Sequence, residues 1–571
     1  MTSIPDSFDY IVVGAGSSGC VVASRLVKDH GATVLLLEQG PLDDSMFIRM
    51  PAGVFKIMFS NSPFIKRYTS TPQESLDGRS VVITQGNVVG GGSSVNVMAY
   101  TRGSKRDYDT WDELSGHAGW GWNDMLPYFR KQEGNVRLDN AEHSGDGPLK
   151  VSDPAYISDA ANIFVRTMQK LKLRFTADFT GGELHGVGYE QSTTYRGRRH
   201  SSSDAFLKPV IGDERLTLVT EARANRILFD GKRAVGVEYL HNGKVRRATA
   251  AREVVLTAGA FATPKLLMLS GVGPADHLRE FDIPVVADLP GVGQNLQDHN
   301  EIFLSLSTKG PFGYFGEDSG VKLVSNLAQY STFGTGPITS TGSETMAFVN
   351  IDDDQEAPDI QIYCIGLMWP TLTINPRNAV TLLANLVRPL SYGSVRLQSA
   401  DPDADPAVNP NWMSHPEDTR RLLKAFKYLR QIATTEPFAG IIEEELSPGA
   451  GITSDEDLIA YMKRTTESNY HPVGSCRMGV EDDPMTVVTP DLRVKGIEGL
   501  RVMDASIMPM IISANTNATV MAVADKGVDL MIGAYTGRTA VARDPASARD
   551  GRGFSIAGAR RSEHPFGTIK Q

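Results

Sequence analysis

The 571-residue sequence has few cysteines, no excess of positive charge and no long apolar run. Its three cysteines, Cys20, Cys364 and Cys476, lie far apart and form no CxxC pair, which disfavours disulfides and a zinc site and indicates a reducing compartment. The formal net charge of −10 disfavours a nucleic-acid partner, because a phosphate backbone requires a basic surface. We find neither an apolar run of about 18 residues nor a basic segment leading into an apolar one, so we expect no transmembrane helix and no secretory signal. These features predict a cytoplasmic protein and leave peripheral membrane contact open.

Apolar residues make up 41% of the chain, enough for a large core in roughly two to four domain-sized units. The chain begins with the pattern of a βαβ unit. Residues 10–13 are β-branched or aromatic without alternation, as expected of a strand buried on both faces. A glycine-rich turn follows, then helical spacing over residues 20–28 and a second apolar strand over residues 33–37.

The turn between the first strand and the helix carries Gly14-x-Gly16-x-x-Gly19, the spacing of a dinucleotide-binding fingerprint. Gly14 permits the tight turn, Gly16 lets the backbone approach a pyrophosphate, and Gly19 lets the helix pack on the strand. Glu38 ends the second strand, about 20 residues beyond the glycines, where it accepts hydrogen bonds from a ribose diol and repels a 2′-phosphate. The fingerprint predicts NAD or FAD and does not separate the two.

Other segments predict a second layer of structure. Residues 254–257 and 500–503 are buried-strand runs that resemble the first strand, so we infer one parallel sheet assembled from distant parts of the chain. Alternating apolar and polar residues instead predict an antiparallel sheet with one covered face. The strand segments expected there are 186–195, 359–368, 379–387 and 393–397, with helices over 156–171 and 416–434.

Six motifs in succession carry a family resemblance. The fingerprint is followed by glycine-rich or polar motifs at residues 86–96, 259–273, 290–299, 471–479 and 504–517. Their order and spacing resemble the glucose-methanol-choline (GMC) oxidoreductases, in the branch of bacterial alcohol and choline dehydrogenases. The resemblance extends from residue 8 to about residue 534.

The resemblance implies an α/β fold, α+β overall, in which a Rossmann-type FAD-binding domain accompanies a discontinuous substrate domain on a mixed or antiparallel sheet backed by helices. The FAD-binding domain would comprise residues 1–155, 196–300 and 468–536. The substrate domain would comprise 156–195 and 301–467, and residues 537–571 would form a tail, disordered or laid over another surface.

The resemblance also implies the cofactor and its contacts. FAD would be bound non-covalently, since some relatives attach it through a histidine at the position of Val95, and valine forms no such bond. Gln85 and Asn87 stand where many relatives have Arg and Lys, which removes two positive charges near the flavin loop. The residues expected to contact FAD are Gly14, Gly16, Ser17, Ser18, Gly19, Glu38, Gly91, Ser94, Asn96, Val97, Met98, Ala224, Asp504, Ala505, Asn515 and Thr516.

The same resemblance places His471 and Asn515 at the flavin ring. Oxidation of an alcohol sends a hydride to flavin N5 and requires a base within about 3 Å of the hydroxyl, a task that suits a neutral histidine. We therefore predict His471 as general base and Asn515 as a hydrogen-bond donor to the developing alkoxide. His299 is interpreted as structural and Cys476 as a packed residue, and Tyr470 is a candidate to restrict access to the flavin. No metal site is predicted, because the remaining histidines lack ligand spacing.

The predicted function is oxidation of an alcohol, with a primary alcohol as the expected substrate, to an aldehyde. The expected electron acceptor is oxygen or a quinone-like carrier. One alternative is a lyase of the same fold that retains FAD without net redox chemistry, similar to hydroxynitrile lyases; light-driven decarboxylases share the fold as well. A second alternative is a non-enzymatic flavoprotein whose basic tail binds a partner or an acidic membrane. A solvated tail is the simpler interpretation of those charges. The sequence does not indicate an oligomeric state.

Overall fold

The computed structural model describes residues 4–352, 357–369 and 375–536. Two seven-stranded sheets organise these residues, and we refer to them as the first and the second sheet. The tail predicted for residues 537–571 lies outside the described residues.

The first sheet is mixed. Its order is Leu216–Val219, Val34–Leu37, Ser7–Val13, Lys244–Leu256, Arg233–His241 and Ala222–Asp230, and Leu500–Val502 also pairs with Lys244–Leu256. Val12 lies beside Leu36 on one side and Val255 on the other in parallel register, and Val255 in turn pairs with Arg501. The parallel sheet predicted from distant segments is thereby confirmed, and Ala222–Asp230 and Arg233–His241 extend it as an antiparallel hairpin.

The first helix explains why these strands are parallel. Ser17–His30 returns the chain across the sheet between Ser7–Val13 and Val34–Leu37, and Gly31 ends it in a left-handed conformation with φ 62°. All four residues of Val34–Leu37 are buried, as expected of a strand covered on both faces. The carboxyl ends of these strands therefore meet at one edge, where the glycine turn lies.

The second sheet is antiparallel. Its order is Ile442–Ser447, Asn300–Thr308, Ala379–Leu386, Ile360–Ile365, Ser343–Val349 and Gly186–Tyr189, and Glu467–Ser468 also pairs with Asn300–Thr308. One face, which includes Leu304, Ile362 and Leu382, packs against helices in a large apolar core. Those helices are Asp159–Lys170, Pro416–Thr434, Phe438–Ile441 and Asp455–Thr465.

One strand prediction was wrong in its partner. Gly393–Arg396 pairs with Gln294–Leu296 and Ala407–Asn409 in a separate three-stranded sheet rather than with the second sheet. Only Val395 of this short strand is buried, so its pattern could not specify which sheet it would join.

The remaining described elements lie outside these sheets, and the longest of them, helix Asn517–Thr536, is largely buried. The helices are Met46–Arg49, Gly53–Met58, Gly92–Val95, Lys105–Leu114, Trp122–Gln132, Gly259–Leu269, Ala275–Arg279, Gly320–Phe333 and Asn517–Thr536, with single turns at Glu74–Leu76, Ser203–Leu207, Lys208–Val210, Pro337–Thr339 and Ala505–Ile507. Two-stranded pairs are Ile65–Thr69 with Val82–Gly86, Glu133–Asn135 with Leu149–Val151, Thr194–Tyr195 with Arg198–Arg199, and Val272–Gly273 with Ala287–Asp288. In the part of the chain that the structure describes, no helix combines the length and apolarity needed to span a bilayer.

Candidate active site

A cavity of about 410 Å³ connects the glycine turn of the first sheet with the face of the second sheet that carries Glu301, Tyr363 and Leu383. Most of the residues predicted to contact the cofactor or to act in catalysis line it. Those that do are Gly14, Gly16, Ser17, Ser18, Glu38, Gly91, Asn96, Val97, Met98, Ala224, His471, Ala505, Asn515 and Thr516.

Three predicted contacts do not line the cavity. Gly19 lies behind the turn, where an added Cβ would come within 1.9 Å of the Gly14 carbonyl oxygen, so it serves close packing. The Ser94 hydroxyl donates instead to the Val89 carbonyl at 2.8 Å, because the short helix Gly92–Val95 turns it inward. The Asp504 carboxylate accepts hydrogen bonds from the Gly259 amide and the Thr263 hydroxyl, which fixes the start of helix Gly259–Leu269.

The glycine turn has the shape expected of a phosphate site. Gly14 has φ 104°, and an added Cβ would lie 2.6 Å from the Thr257 carbonyl oxygen. A Cβ on Gly91 would lie 2.7 Å from the Gly16 Cα, so the two backbones face each other with no room for a side chain. No side chain caps helix Ser17–His30, and its first N–H groups remain available to an anion. The residues present therefore fit a dinucleotide with its pyrophosphate at this helix start.

Glu38 is held by backbone amides at the same edge. Its Oε2 accepts from the Ala15 amide and its Oε1 from the Gly40 amide, each at 2.8 Å. Burial raises the pKa of Glu38 to about 7, against the lowering effect of these hydrogen bonds. The carboxyl retains lone pairs for a diol, because each oxygen accepts only one of these bonds.

Lys66 lies beside Gln85 and Asn87, the two positions where many relatives are expected to carry a positive charge. Gln85 and Asn87 both line the cavity, and Lys66 lies directly across from Gln85 in the antiparallel pair. Lys66 also lines the cavity, and its Nζ lies 2.6 Å from the Asp405 carboxylate. A cation is thus present at this wall, although Asp405 offsets part of its charge.

His471 is fixed in place through its backbone. Its amide donates to Asp298 Oδ1 at 2.9 Å, and Ser468 donates to the other oxygen of the same carboxylate. Tyr470, the preceding residue, has φ 62°, a left-handed conformation that costs a non-glycine residue roughly 1–2 kcal/mol. This strained turn directs the imidazole into the cavity, which Tyr470 also lines.

Asn515 presents its amide nitrogen to His471. Nδ2 lies 3.4 Å from His471 Nε2. Its Oδ1 accepts hydrogen bonds from the Thr101 hydroxyl, the Gln361 amide and the Tyr363 hydroxyl at 3.1–3.3 Å. Three donors on one oxygen fix the orientation of the carboxamide, so the group facing the cavity is a donor.

His299 is in direct contact with His471, which the sequence analysis did not anticipate. Their Nδ1 atoms lie 3.1 Å apart and the rings meet edge to face. One of these nitrogens must carry the shared hydrogen. If His299 donated it, His471 would carry its hydrogen on Nε2, facing the donor Nδ2 of Asn515. Because two donors repel, the contacts favour His471 with hydrogen on Nδ1 and a free lone pair on Nε2.

Burial keeps this pair neutral. Removal from water lowers the pKa of His471 to about 3. Burial lowers the pKa of His299 well below its ordinary value, and the charge of a protonated His471 adds to this effect. Burial also raises the pKa of Asp298 to about 7. An imidazole with a free Nε2 lone pair is therefore present throughout the neutral pH range.

The wall opposite the glycine turn is aromatic with one buried acid. Tyr363 and Trp369 line the cavity, and the ring of Trp369 stacks on Phe303 with centroids 4.9 Å apart. Glu301 also lines it, accepts a hydrogen bond from Asn469, and has no protein partner for its Oε1. Burial raises the pKa of Glu301 well above its ordinary value. In the sequence, the two-residue spacing of His299 and Glu301 indicates that both side chains lie on the same side of an extended segment.

Cys476 is fully buried, and burial raises the pKa of its thiol, which agrees with its interpretation as a packed residue. The loop that follows His471 is joined to the turn Ala505–Ile507, because the Cys476 amide donates to the Ser506 carbonyl.

Comparisons with known proteins identify the family to which this chain is similar. The GMC oxidoreductase family model matches residues 8–301 with its amino-terminal part and residues 389–524 with its carboxy-terminal part. An alcohol dehydrogenase [acceptor] of Pseudomonas putida is 38% identical over 92% of this chain and 96% of its own length. An oxygen-dependent choline dehydrogenase of Sinorhizobium fredii is 37% identical over 92% of this chain and 95% of its own. Among solved structures, a pyridoxine 4-oxidase superposes with a TM-score of 0.83 at 30% identity, covering 91% of this chain and 98% of that one.

Proposed function

This chain belongs to the GMC oxidoreductases, and from that premise we propose that it oxidises a primary alcohol to the aldehyde with His471 as general base. It is an FAD-dependent enzyme that acts on CH–OH donors. The observation that supports the assigned base is the position of His471 Nε2, 3.4 Å from the amide nitrogen of Asn515, while Nδ1 of His471 contacts His299. An alcohol oxygen that contacts both groups meets one acceptor and one donor.

The protein residues supply proton transfer and orientation. FAD, when bound, accepts the hydride that leaves the alcohol carbon. His471 Nε2 takes the hydroxyl proton as the O–H bond breaks, and the electron pair left on oxygen forms the carbonyl bond. Asn515 Nδ2 donates to that oxygen while it carries negative charge. His299 accepts a hydrogen bond from His471 Nδ1 and would stabilise the imidazolium that forms.

The cofactor contacts stay part of the proposal. Gly14, Gly16 and the start of helix Ser17–His30 would hold the pyrophosphate, and Glu38 the adenosine ribose. Residues Gly91, Asn96, Val97 and Met98 would lie at the flavin, and the division into an FAD-binding and a substrate domain is proposed with the boundaries given above. Ser94 and Asp504 would act through the backbone that they fix, because neither side chain lines the cavity.

The test of the proposed function is anaerobic reduction of the flavin by a panel of aliphatic, aryl and sugar alcohols. We expect bleaching of the yellow chromophore by at least one primary alcohol, with the aldehyde as product. His471→Ala should lower the rate constant of reduction by about 10²–10⁴-fold and Asn515→Ala by about 10²–10³-fold. A lyase without net redox chemistry would turn over substrate without bleaching, and the comparisons do not favour it.

Choline and 3,3-dimethyl-1-butanol form a matched pair within this panel, since they differ in a quaternary nitrogen against a quaternary carbon. A preference for choline would assign Glu301 to the substrate cation, because an ammonium group would favour the ionised carboxylate. Equal rates would assign the aromatic wall as the determinant.

Oxygen or a quinone-type carrier is proposed as electron acceptor. Admitting air to the reduced enzyme separates the two. Rapid return of the yellow colour with release of peroxide supports an oxidase, and slow return that a soluble quinone accelerates supports a dehydrogenase.

A further inference from the structure

Helix Gly320–Phe333 exposes apolar residues where a surface helix ordinarily exposes charge. Val321, Val324 and Phe333 are 86%, 68% and 74% exposed. The one charged residue of the helix is Lys322, and its one buried residue is Asn326. The helix therefore buries a polar side chain and leaves most of its apolar ones exposed to water, which is costly unless something covers them.

The helix adjoins other exposed apolar side chains. Gly197, at the tip of hairpin Thr194–Arg199, lies against the Gly334 carbonyl at the helix end. Arg199 Nε donates to the Ile48 carbonyl at 2.9 Å, and the Ala52 amide donates to the Ile338 carbonyl at 3.1 Å. These contacts bring helices Met46–Arg49 and Gly53–Met58 to the same side. We call the set the apolar face: Met46, Phe47, Phe59, Tyr195, Phe315, Val321, Val324, Leu327 and Phe333, all exposed.

Unpaired cations surround the apolar face. Arg49, Lys56, Arg196 and Arg198 are exposed on the same elements, and none forms an ion pair with an acid among the described residues. The acids nearby are Asp44, Asp318 and Glu317, of which Glu317 is occupied by Lys322 and Asn326. A local excess of cations on a chain with a net charge of −10 indicates an anionic partner for this face.

The apolar face also adjoins the mouth of the active-site cavity. Phe55, Met58 and Phe59 line the cavity that His471 and Asn515 line deeper in, and Phe59 is 48% exposed. The rings of Phe55 and Phe59 stack with centroids 6.4 Å apart. A molecule that covers the face would therefore lie beside the entrance.

We propose that the apolar face binds the surface of a bilayer containing anionic phospholipid, with helix Gly320–Phe333 lying in the interface. Apolar side chains rimmed by cations are what such an interface selects. A second copy of the chain fits less well, because a twofold contact would place two cation-rimmed faces against each other with no matching excess of acids. Entry of an apolar alcohol or quinone from the bilayer would follow, and that step alone rests on the proposed function.

The test is flotation of the full-length, FAD-loaded protein with lipid vesicles. We expect binding to vesicles of phosphatidylcholine with phosphatidylglycerol and weaker binding to phosphatidylcholine alone. Val321→Asp with Val324→Asp should weaken binding on the order of 100-fold, because two valines no longer enter the interface. Arg196→Gln should weaken binding to anionic vesicles about fivefold.

Val245→Asp is the matched control, because Val245 is 61% exposed on hairpin Arg233–Leu256, away from the apolar face. It should bind vesicles as the unmodified protein does. Equal losses in the control and the double variant would overturn the proposal, as would no binding to anionic vesicles. A double variant that converts a dimer into a monomer, measured by light scattering, would assign the face to a second copy instead. Flavin reduction by a soluble alcohol should be unchanged in the double variant, which separates this test from that of the proposed function.

Discussion

Replacing His299 with leucine removes the nitrogen that accepts a hydrogen bond from Nδ1 of His471. The two Nδ1 atoms lie 3.1 Å apart and His299 is fully buried, so water does not readily take the place of the lost acceptor. A buried N–H without a partner costs about 1–3 kcal/mol. The substitution therefore destabilises, by that free energy, the tautomer of His471 with hydrogen on Nδ1, which is the tautomer that leaves Nε2 available as base.

The expected consequence is a smaller fraction of enzyme in the competent tautomer. A cost of about 1–3 kcal/mol lowers the rate constant of flavin reduction by about one to two orders of magnitude. The dissociation constant of the alcohol should change little, because His299 lies behind His471 and does not line the cavity. Rapid-mixing absorbance under anaerobic conditions separates the limiting rate from the dissociation constant.

His299→Asn is the matched variant, because the asparagine Oδ1 would occupy the position of the His299 Nδ1 and can accept the same hydrogen bond from Nδ1 of His471. We expect it to recover most of the lost rate, whereas a purely packing role would leave both variants equally impaired. Equal rates in His299→Leu and the unmodified enzyme would refute the tautomer argument. Thermal unfolding of both variants shows whether the leucine variant remains folded at the assay temperature.

Three further predictions concern the same site. Because burial lowers the pKa of His471 to about 3, protonation of this base should change the rate constant of flavin reduction less than about twofold between pH 8 and pH 5, whereas a histidine with an ordinary pKa of about 6.5 would lose about 30-fold. Asp298, whose pKa burial raises to about 7, also titrates in this range, so the profile is measured in Asp298→Asn as well, and an acid limb near pH 6.5 that persists in that variant would contradict the assignment. Acid precipitation should release all of the flavin into the supernatant, because Val95 forms no covalent bond to it, and a yellow pellet would contradict this expectation. Tyr470→Gly should be more stable than Tyr470→Ala by about 1 kcal/mol in thermal unfolding, because glycine adopts the φ of 62° without strain, and the reverse order would show that the turn relaxes.

Local patterns in the sequence predicted the scaffold of the site well. The fingerprint at Gly14, Gly16 and Gly19 combines a strand, a turn and a helix start that are adjacent along the chain, so its geometry depends on few distant contacts. Segments 254–257 and 500–503 were assigned to one parallel sheet because strands buried on both faces share a composition. Segment 393–397 was assigned to the wrong partner, because a single buried valine cannot specify one.

Side-chain direction within a short turn was not predictable. Ser93, Ser94 and Val95 follow one another in the four-residue helix Gly92–Val95, so a small rotation of that helix decides which of them faces the cavity. Val95 does face it, and the Ser94 hydroxyl bonds to the Val89 carbonyl. The motif therefore predicted a loop that lies at the cavity, but not which of its side chains face the cavity.

The chemistry of Asn515 shows why the catalytic arrangement itself required the structure. An amide can present either a donor or an acceptor to a substrate, and its own sequence neighbours do not decide which. Here Thr101, Gln361 and Tyr363 determine the orientation, because all three donate hydrogen bonds to Asn515 Oδ1. They lie at least 150 residues away along the chain. His299 contacts Nδ1 of His471 from 172 residues away along the chain, and with Asn515 on Nε2 it favours the tautomer that leaves Nε2 without a hydrogen. In the proposed reaction the pair would act as base and donor because distant residues satisfy the other atom of each side chain, so substituting those residues should impair the reaction while leaving His471 and Asn515 in place.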